Sequence, residues 1–324
     1  MNIPLKFQKC SKLLRFFSSK LSCDEVKIPV PWGHVAGKWW GPQDKRPILV
    51  LHGWQDNCGS FDRLIPMLNP KYGYLAIDFP GHGLSSHLPL GVLYYWIDYV
   101  ITVRRIVKYF KWPKVSILGH SIGGATGYYY EVIYPGNLDF LISIDALKPI
   151  TKDVYLTNTG ENIDNIIKYD HLMSLGKEGP AHAKEDLIQR LNIDSQKSID
   201  LEVCEYVLTR NIKESSITPN KFYFTRDLRL KVLPLLYPNR TEILENTNRL
   251  LCPTLYLKST DKNKRYKNLT DAQELTDILE KTKKDFEMHM IDGTHHVHLN
   301  NPEKLEGFIN KFIEKYDIED RNVH

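Results

Sequence analysis

The chain has 324 residues, of which 42% are hydrophobic and 25% are charged, a composition that excludes a largely disordered protein. Its length fits two core-forming units or one large α/β domain with an insertion, and no apolar run approaches the roughly 18 residues that a transmembrane helix needs. Five of the 43 basic residues lie in the first 22 positions, and the remaining 38 are matched by 39 acidic residues, which gives no support for a nucleic-acid-binding surface.

The N-terminal tail, residues 1–23, combines lysine and arginine with leucine, phenylalanine and serine, and has no acidic residue. This composition is typical of an amphipathic mitochondrial presequence, and Arg15-Phe16-Phe17 before two serines resembles a matrix-protease cleavage site. A disordered basic tail, or a short amphipathic helix lying on the globular body, is the alternative. We therefore expect an intracellular protein that is either mitochondrial or, under the alternative, cytoplasmic or peroxisomal.

The five cysteines agree with an intracellular location. They are scattered along the chain, and no pair has C-x-x-C spacing. An odd number without a regular pattern disfavours a disulfide framework and a zinc site, and favours a reducing compartment.

Strand-like and helix-like segments alternate from Val26 onward. A hairpin is predicted around Pro31-Trp32-Gly33, with strands over 26–30 and 34–40. Short continuous apolar runs, typical of strands buried on both faces, follow at 47–51, 74–77, 115–118 and 140–144. Helix-compatible segments over about 92–110 and 122–134 separate the later strands. Such alternation implies βαβ units and a mostly parallel sheet flanked by helices.

The alternation stops after residue 145. About a hundred residues follow without a buried-strand run, but with helix-like patches near 161–175, 183–193 and 198–210. Strand character returns at 254–257 and 286–291. One sheet with a helical insertion explains this pattern better than two tandem domains. We therefore assign the core to residues 24–146 and 251–318, and a helical lid to residues 147–250.

The motif Gly-His-Ser-Ile-Gly at residues 119–123 matches G-x-S-x-G. It follows a predicted strand and precedes a predicted helix, which is the setting in which this motif places a nucleophilic serine on a sharp turn. Small residues on both sides let the backbone turn without a Cβ clash. We therefore predict that Ser121 is a nucleophile rather than a structural turn serine.

An oxyanion hole is predicted next to this turn. A tetrahedral intermediate needs two N–H donors, one from the residue after the nucleophile and one from an earlier strand-end loop. The segment His52-Gly-Trp-Gln-Asp-Asn57 directly follows a predicted strand. We therefore predict that the backbone N–H groups of Trp54 and Ile122 are the donors, although Gly53 alone would also fit a plain turn.

A serine nucleophile needs a histidine base, and the best candidates follow the last predicted strand. Of the three histidines in residues 295–298, His295 is the first choice, His296 the second and His298 the third. His52 and His120 are more consistent with structural roles. The histidine group also suggests a metal site, but neither carboxylate nor cysteine ligands accompany it at helical spacing, so we predict no metal and no cofactor.

The acid of the triad should follow a strand between the serine and the histidine. Asp261 lies shortly after the predicted strand 254–257 and is the first choice. Asp145, at the end of the strand 140–144, is the competitor. An aspartate at a strand end is also a common cap or turn residue, so the choice between the two stays open.

These pieces together resemble the α/β-hydrolase fold family and, more narrowly, the serine hydrolase-like proteins, the group that includes the insect kraken protein. The match rests on HGWQDN at 52–57, DFPGHG at 78–83, GHSIGG at 119–124, FTRDLRLK at 224–231 and HHVHLNNP at 295–302. It spans about residues 24–315. The resemblance implies a cofactor-free hydrolase of esters or other acyl compounds, with the catalytic histidine, seven residues before a proline, at His295.

The leading hypothesis is a serine hydrolase acting on a small, apolar acyl or ester substrate. A ligand- or partner-binding protein with this fold and little turnover is the alternative. An epoxide hydrolase or dehalogenase would normally need a carboxylate at position 121, whereas a perhydrolase would share the triad. Within the insertion, Arg226 and Arg229 could bind an acidic substrate group, but pairing with Asp227 or anchoring of the lid is the favoured role.

Overall fold

The computed structural model describes the backbone of residues 6–9 and residues 21–150, 159–232, 235–236, 238–261 and 272–316. Short runs rich in β-branched and aromatic residues form the strands. They are β1 (Lys6–Lys9), β2 (Cys23–Val30), β3 (Gly33–Trp40), β4 (Ile48–Leu51), β5 (Tyr74–Ile77), β6 (Val115–His120), β7 (Leu138–Ile144), β8 (Ile212–Glu214), β9 (Phe222–Phe224), β10 (Thr254–Ser259) and β11 (Phe286–Ile291).

Most of the helices follow the predicted segments and place their apolar faces on the sheet or on one another, whereas two short helices over 240–245 and 297–300 were not predicted. They are α1 (Trp96–Tyr109), α2 (Ile122–Ile133), α3 (Thr159–Ser174), α4 (Lys184–Asp194), α5 (Cys204–Asn211), α6 (Arg240–Glu245), α7 (Gln273–Thr282), α8 (Val297–Asn300) and α9 (Glu303–Lys315). None of the helices in the described part of the chain combines the length and apolar character that crossing a bilayer requires.

The main sheet has nine strands in the order β1-β2-β3-β5-β4-β6-β7-β10-β11. The strands from β5 to β11 in this order run parallel, and the first three run antiparallel to their neighbours. The mostly parallel α/β sheet predicted from the sequence is therefore confirmed. Because parallel strands point the same way, the residues that follow β4, β6, β7, β10 and β11 meet at one edge of the sheet.

Alternating residues of the central strands build two hydrophobic cores, one on each face of the sheet. On one face, Leu49, Ile117 and Tyr256 pack with residues of α1, α2 and α7. On the other face, Val50 and Leu257 pack with residues of α9. Burial on both faces explains why these strands are continuous apolar runs in the sequence.

The segment between β7 and β10 contains the predicted insertion. Its described residues form α3 to α6 and a short antiparallel hairpin of β8 and β9, and none of them joins the nine-stranded sheet. The three longer helices match the predicted helical segments. The hairpin was not predicted, because strands of three residues are too short to show a period of two. A hydrophobic cluster holds α4 and α5 together and includes Leu299 of α8.

Buried ion pairs connect the insertion to the sheet-bearing core. Arg210 of α5 donates hydrogen bonds to Asp78, which follows β5, and pairs with Glu25 of β2. The Asp78 carboxylate also accepts the backbone N–H groups of Cys58 and Leu84. The guanidinium holds the pKa of Asp78 well below its usual range, although burial alone would raise it.

The N-terminal region differs from the predicted tail in two respects. Residues 6–9 form the edge strand β1, which pairs with β2. We expected a presequence, a disordered tail or a helix there. Residues 1–5 and 10–20 of that tail lie outside the described residues. Cys58, Cys204 and Cys252 are free and buried. Cys23, however, is disulfide-bonded, which differs from the expectation of reduced cysteines. A single disulfide has no characteristic cysteine spacing, so the sequence could not predict it.

Candidate active site

Ser121 lies on a strained turn between β6 and α2. Its φ is 51° and its ψ is −118°, a backbone conformation that a residue other than glycine adopts only when its surroundings impose it. The Ser121 N–H donates to the carbonyl of Ile144 in the neighbouring strand at 2.9 Å. A Cβ on Gly123 would lie 2.1 Å from the Leu51 carbonyl oxygen, so only glycine lets α2 approach the sheet here.

The loop after β4 packs directly against this turn. A Cβ on Gly53 would lie 2.9 Å from Nδ1 of His120 and 3.4 Å from Cβ of Ser121, so the loop carrying Trp54 is in contact with the serine turn. Neither the Trp54 N–H nor the Ile122 N–H has a hydrogen-bond acceptor among the residues that the structure describes. Ile122 is the first residue of α2, where backbone N–H groups have no partner within the helix.

Two buried histidines fix the shape of this loop. His52 donates from Nδ1 to the Gly53 carbonyl and accepts the Phe79 N–H at Nε2. His82 accepts the N–H of Gln55 at 3.1 Å. Burial lowers the pKa of His52 to about 4, so the ring stays neutral and can accept a hydrogen bond. This geometry gives His52 the structural role that the sequence analysis favoured.

His295 lies in the loop between β11 and α8, at the same edge of the sheet. Its Nδ1 is 2.6 Å from Oδ2 of Asp145, and both side chains are buried. Asp145 directly follows β7, has a φ of 52°, and accepts the Ser259 N–H at its other carboxylate oxygen. The bond to Asp145 fixes the proton on Nδ1, which leaves Nε2 of His295 as the nitrogen able to accept another proton.

The position of Asp261 differs from the sequence-based expectation. Its Oδ2 accepts the backbone N–H of His295 at 2.7 Å, whereas the imidazole ring is hydrogen-bonded to Asp145. The expected first choice and its competitor therefore exchange places: Asp145 contacts the ring, and Asp261 holds the loop. The reason is strand order: β7 lies between β6 and β10, which brings its last residue nearer the serine turn.

The neighbouring histidines His120, His296 and His298 are buried, and the first two also line the cavity that Ser121 and His295 share. His296 places Nδ1 2.8 Å from Oγ of Ser198 in the insertion. His120 donates from Nε2 to the carbonyl of His295 at 2.9 Å, and its ring lies 4.0 Å from that of His298. Burial lowers the pKa of all three rings, that of His298 to about 3. As neutral groups, His120 and His296 make hydrogen bonds, whereas both ring nitrogens of His298 are buried without a partner among the described residues, so His298 contributes packing alone.

Asp56, His120 and His296 form the one trio among the described residues whose side-chain ligand atoms all lie within 4.8 Å of one another. Within that part of the chain, Oδ2 of Asp56 and Nδ1 of His120 are buried without a hydrogen-bond partner. Burial raises the pKa of Asp56 to about 7, so this carboxyl can also carry a proton near neutrality. Three protein ligands are enough to hold a metal ion. The spacing of the histidines in the sequence did not indicate this trio, because Asp56 lies far from them in the chain.

A cavity of about 330 Å³ opens onto these groups. Ser121, Ile122, Trp54 and His295 line it together, so the structure brings the predicted nucleophile, base and oxyanion residues to one place. Most of the remaining wall is apolar and comes from both the core and the insertion. Apolar members of this wall are Trp96, Ala125, Ala146, Ile150, Leu191, Ile199, Val207 and Phe224.

The fold agrees with the comparisons with known proteins. Residues 46–302 match the α/β-hydrolase fold family, and the chain belongs to that family. It is 34% identical over 298 residues to a "Probable serine hydrolase" of Drosophila melanogaster, and the aligned region covers 91% of this chain and 88% of the relative. It is 33% identical over 308 residues to a "Serine hydrolase-like protein" of Danio rerio, and the aligned region covers 93% of this chain and 92% of the relative.

Solved structures show the same fold. The crystal structure of a hypothetical protein from Pseudomonas aeruginosa PAO1 has a TM-score of 0.72 and 26% sequence identity, and the match covers 90% of this chain and 98% of that one. A thioesterase domain from the curacin biosynthetic pathway has a TM-score of 0.69 and 18% identity, with coverage of 90% and 99%. At these identities, the structures support the architecture rather than a particular substrate.

Proposed function

We propose that this protein is a serine hydrolase that cleaves an ester or another small acyl substrate through an acyl-enzyme intermediate. The observation that carries the proposal is the buried His295–Asp145 hydrogen bond at a cavity that Ser121 also lines. An orienting carboxylate, an imidazole and a serine on a strained turn are the parts that nucleophilic catalysis needs. The family and the names of the relatives support the same class of reaction.

In the first half of the reaction, Oγ of Ser121 attacks the acyl carbon while Nε2 of His295 takes the serine proton. Asp145 keeps the imidazole in the required tautomer and stabilises the imidazolium that forms. The N–H groups of Trp54 and Ile122 bind the oxyanion of the tetrahedral intermediate. His295 then gives its proton to the leaving group, and Ser121 is left acylated.

In the second half, water takes the place of the leaving group. His295 removes a proton from the water, the resulting hydroxide attacks the acyl carbon, and collapse of the second tetrahedral intermediate returns the proton to Ser121. The carboxylic acid leaves and the free enzyme is restored. Neither half of this reaction calls for a metal or an organic cofactor.

The insertion, residues 147–250, acts in this proposal as a lid that shapes the substrate site. Leu191, Ile199, Val207 and Phe224 of the insertion line the cavity together with the catalytic groups. A volume of about 330 Å³ is at the small end for ligand pockets, and its mostly apolar wall fits a short acyl chain.

A ligand-binding protein with little turnover is the second candidate. It would share the fold and the cavity, but it would not need the His295–Asp145 pair. Burying a titratable pair costs free energy that binding of an apolar ligand does not require. The pair therefore favours catalysis over simple binding.

Hydrolysis of p-nitrophenyl esters of graded chain length tests the proposal. The wild type should hydrolyse short and medium chains, and Ser121→Ala should lose at least about 10⁴-fold in kcat. His295→Ala should lose nearly as much, whereas His296→Ala is the matched control and should lose far less. Circular dichroism verifies that each variant is folded.

Two results would contradict the assignments. Equal losses in His296→Ala and His295→Ala would remove His295 as the base. Undiminished hydrolysis by folded Ser121→Ala would remove the serine mechanism altogether.

A further inference from the structure

Arg226 extends into the cavity from the segment that follows β9. It lines the cavity together with Ser121 and His295. Among the residues that the structure describes, its guanidinium donates one hydrogen bond, from Nη1 to the carbonyl of Gln55 at 3.4 Å. A guanidinium has five N–H donors, so most of the donors of Arg226 have no acceptor among the described residues.

Arg229, three residues later, anchors the insertion to the loop that follows β5. Its guanidinium makes two hydrogen bonds to the carboxylate of Asp227 and three to the carbonyls of Leu88, Pro89 and Val92. The anchoring role predicted for this region thus falls on Arg229. Within the described ranges of the chain, Arg226 has neither the contact with Asp227 nor the set of carbonyl acceptors, so a different role must account for its position.

The electrostatic surroundings of Arg226 leave its positive charge poorly compensated. Burial lowers the pKa of Arg226 to about 10, and in the described part of the chain Asp194 of α4 is the one carboxylate that acts against this shift. Asp194 also lines the cavity. A cation removed from water without a close partner is costly, and a ligand that brings a negative charge relieves that cost.

We propose that Arg226 binds a carboxylate of the substrate, so that the preferred substrates are small esters whose acyl chain carries a free carboxylate at its far end. This proposal rests on the hydrolase function proposed above and specifies its substrate class. The planar guanidinium can donate two parallel hydrogen bonds to a carboxylate. The apolar wall of the cavity accommodates the methylene chain between that carboxylate and the ester.

A purely structural role for Arg226 makes a different prediction. Its bond to the Gln55 carbonyl connects the insertion to the loop that carries Trp54, and Gln55 in turn donates from Nε2 to the Leu230 carbonyl at 2.6 Å. If Arg226 only positions that loop, its loss should slow all esters to the same extent. A carboxylate-binding role should slow only the esters that carry a carboxylate.

The test compares two substrates of matched shape, mono-p-nitrophenyl adipate and p-nitrophenyl 6-methylheptanoate. They share the leaving group and the four-methylene chain, and the second has an isopropyl group in place of the carboxylate. The wild type should show a higher kcat/KM for the adipate, mainly through a lower KM. Correction for spontaneous hydrolysis of each ester in buffer completes the measurement.

Arg226→Gln should lower kcat/KM for the adipate by about 10- to 100-fold and change the value for the neutral ester by less than about threefold. Arg190→Gln, which removes an exposed positive charge from α4, is the control for net charge and should leave both values unchanged. Asp194→Asn should raise kcat/KM for the adipate several-fold, because it removes the carboxylate that competes for Arg226.

The outcomes separate this proposal from the hydrolase function itself. Hydrolysis of both esters by the wild type without a preference for the adipate, or equal slowing of both by Arg226→Gln, would overturn the proposal and leave the hydrolase standing. Hydrolysis of neither ester by folded wild type would count against the hydrolase. If Arg226→Gln does not fold, the wild-type preference and the effect of Asp194→Asn decide the matter.

Discussion

Ser121 and Asp145 share an unusual backbone conformation at equivalent places. Each follows a parallel strand directly, and their φ angles are 51° and 52°. Each N–H is held by a carbonyl of the next strand, Ile144 for the serine and Leu257 for the aspartate. Positive φ in residues other than glycine costs free energy and persists where surrounding structure imposes it, often at functional sites. The same backbone conformation thus places both residues at the same edge of the sheet.

The two aspartates near His295 should respond differently to removal of their charge. Asp145→Asn should lower kcat by about 10³- to 10⁴-fold, since the amide no longer stabilises the required tautomer and the imidazolium. Asp261→Asn should cost less than about tenfold, since its carboxylate contacts the backbone N–H of His295. Steady-state hydrolysis of a p-nitrophenyl ester measures both. A larger loss in Asp261→Asn than in Asp145→Asn would restore the acid first chosen from the sequence.

The contrast between these residues shows which site residues a sequence can specify. Ser121 could be predicted because its motif specifies both the residue and the strand–turn–helix context. The acid could not, since Asp145 and Asp261 both follow strands whose carboxyl ends meet at one edge. Which carboxylate contacts the imidazole depends on strand order and register, which a single sequence does not specify.

Helix α2 approaches β4 and β7 closely, and glycine makes that approach possible. A Cβ on Gly123 would lie 2.1 Å from a backbone oxygen of Leu51, and a Cβ on Gly124 would lie 2.0 Å from Oγ of Ser143. The backbone of β4 is fully buried and hydrogen-bonded on both sides, so it cannot move away at low cost.

Gly123→Ala should therefore destabilise the protein by at least about 2 kcal/mol, since overpacking against buried backbone cannot be relieved by a rotamer change. Gly307→Ala is the matched control: Gly307 is exposed in α9, a Cβ added there would meet no described atom within 4 Å, and the change should stabilise by about 0.5–1 kcal/mol. Urea unfolding measures both. Equal stability of the two variants would mean that α2 tolerates displacement from the sheet.

Among the secondary-structure elements, the buried strands and the helices around them followed from the sequence. Their continuous apolar runs and helical segments have a period and a length that identify them. The hairpin of β8 and β9 did not follow, because each strand has three half-exposed or exposed residues. Edge strand β1 did not follow either, since its Lys-Phe-Gln-Lys sequence is compatible with a basic tail.

The whole molecule contains an unusual number of buried neutral histidines, and its stability should depend on pH accordingly. Burial lowers the pKa of His52 to about 4 and that of His298 to about 3, and it lowers those of His82, His120 and His296 as well. The unfolded chain, with ordinary values near 6.5, binds more protons than the folded chain below that pH. The raised pKa values of Asp56, Asp62, Asp98, Glu131 and Asp200 act in the opposite direction and offset part of this effect.

The free energy of unfolding should therefore fall as the pH is lowered from 7.5 to 5, by about 1–2 kcal/mol for each such histidine. Urea unfolding at the two pH values measures the change. His298→Phe, which keeps a ring next to Phe61, should reduce this pH dependence. A protein as stable at pH 5 as at pH 7.5 would show that these rings take up protons without unfolding.

The central claim is that Ser121 is an activated nucleophile, and labelling with a fluorophosphonate probe tests it most directly. Such a probe reacts with a serine that a base and an oxyanion hole have activated. Intact-mass and peptide analysis of the wild type should show one adduct on the peptide containing Ser121, and none in Ser121→Ala. A folded wild type that takes up no probe, or an adduct that persists in Ser121→Ala, would show that Ser121 is not the activated nucleophile.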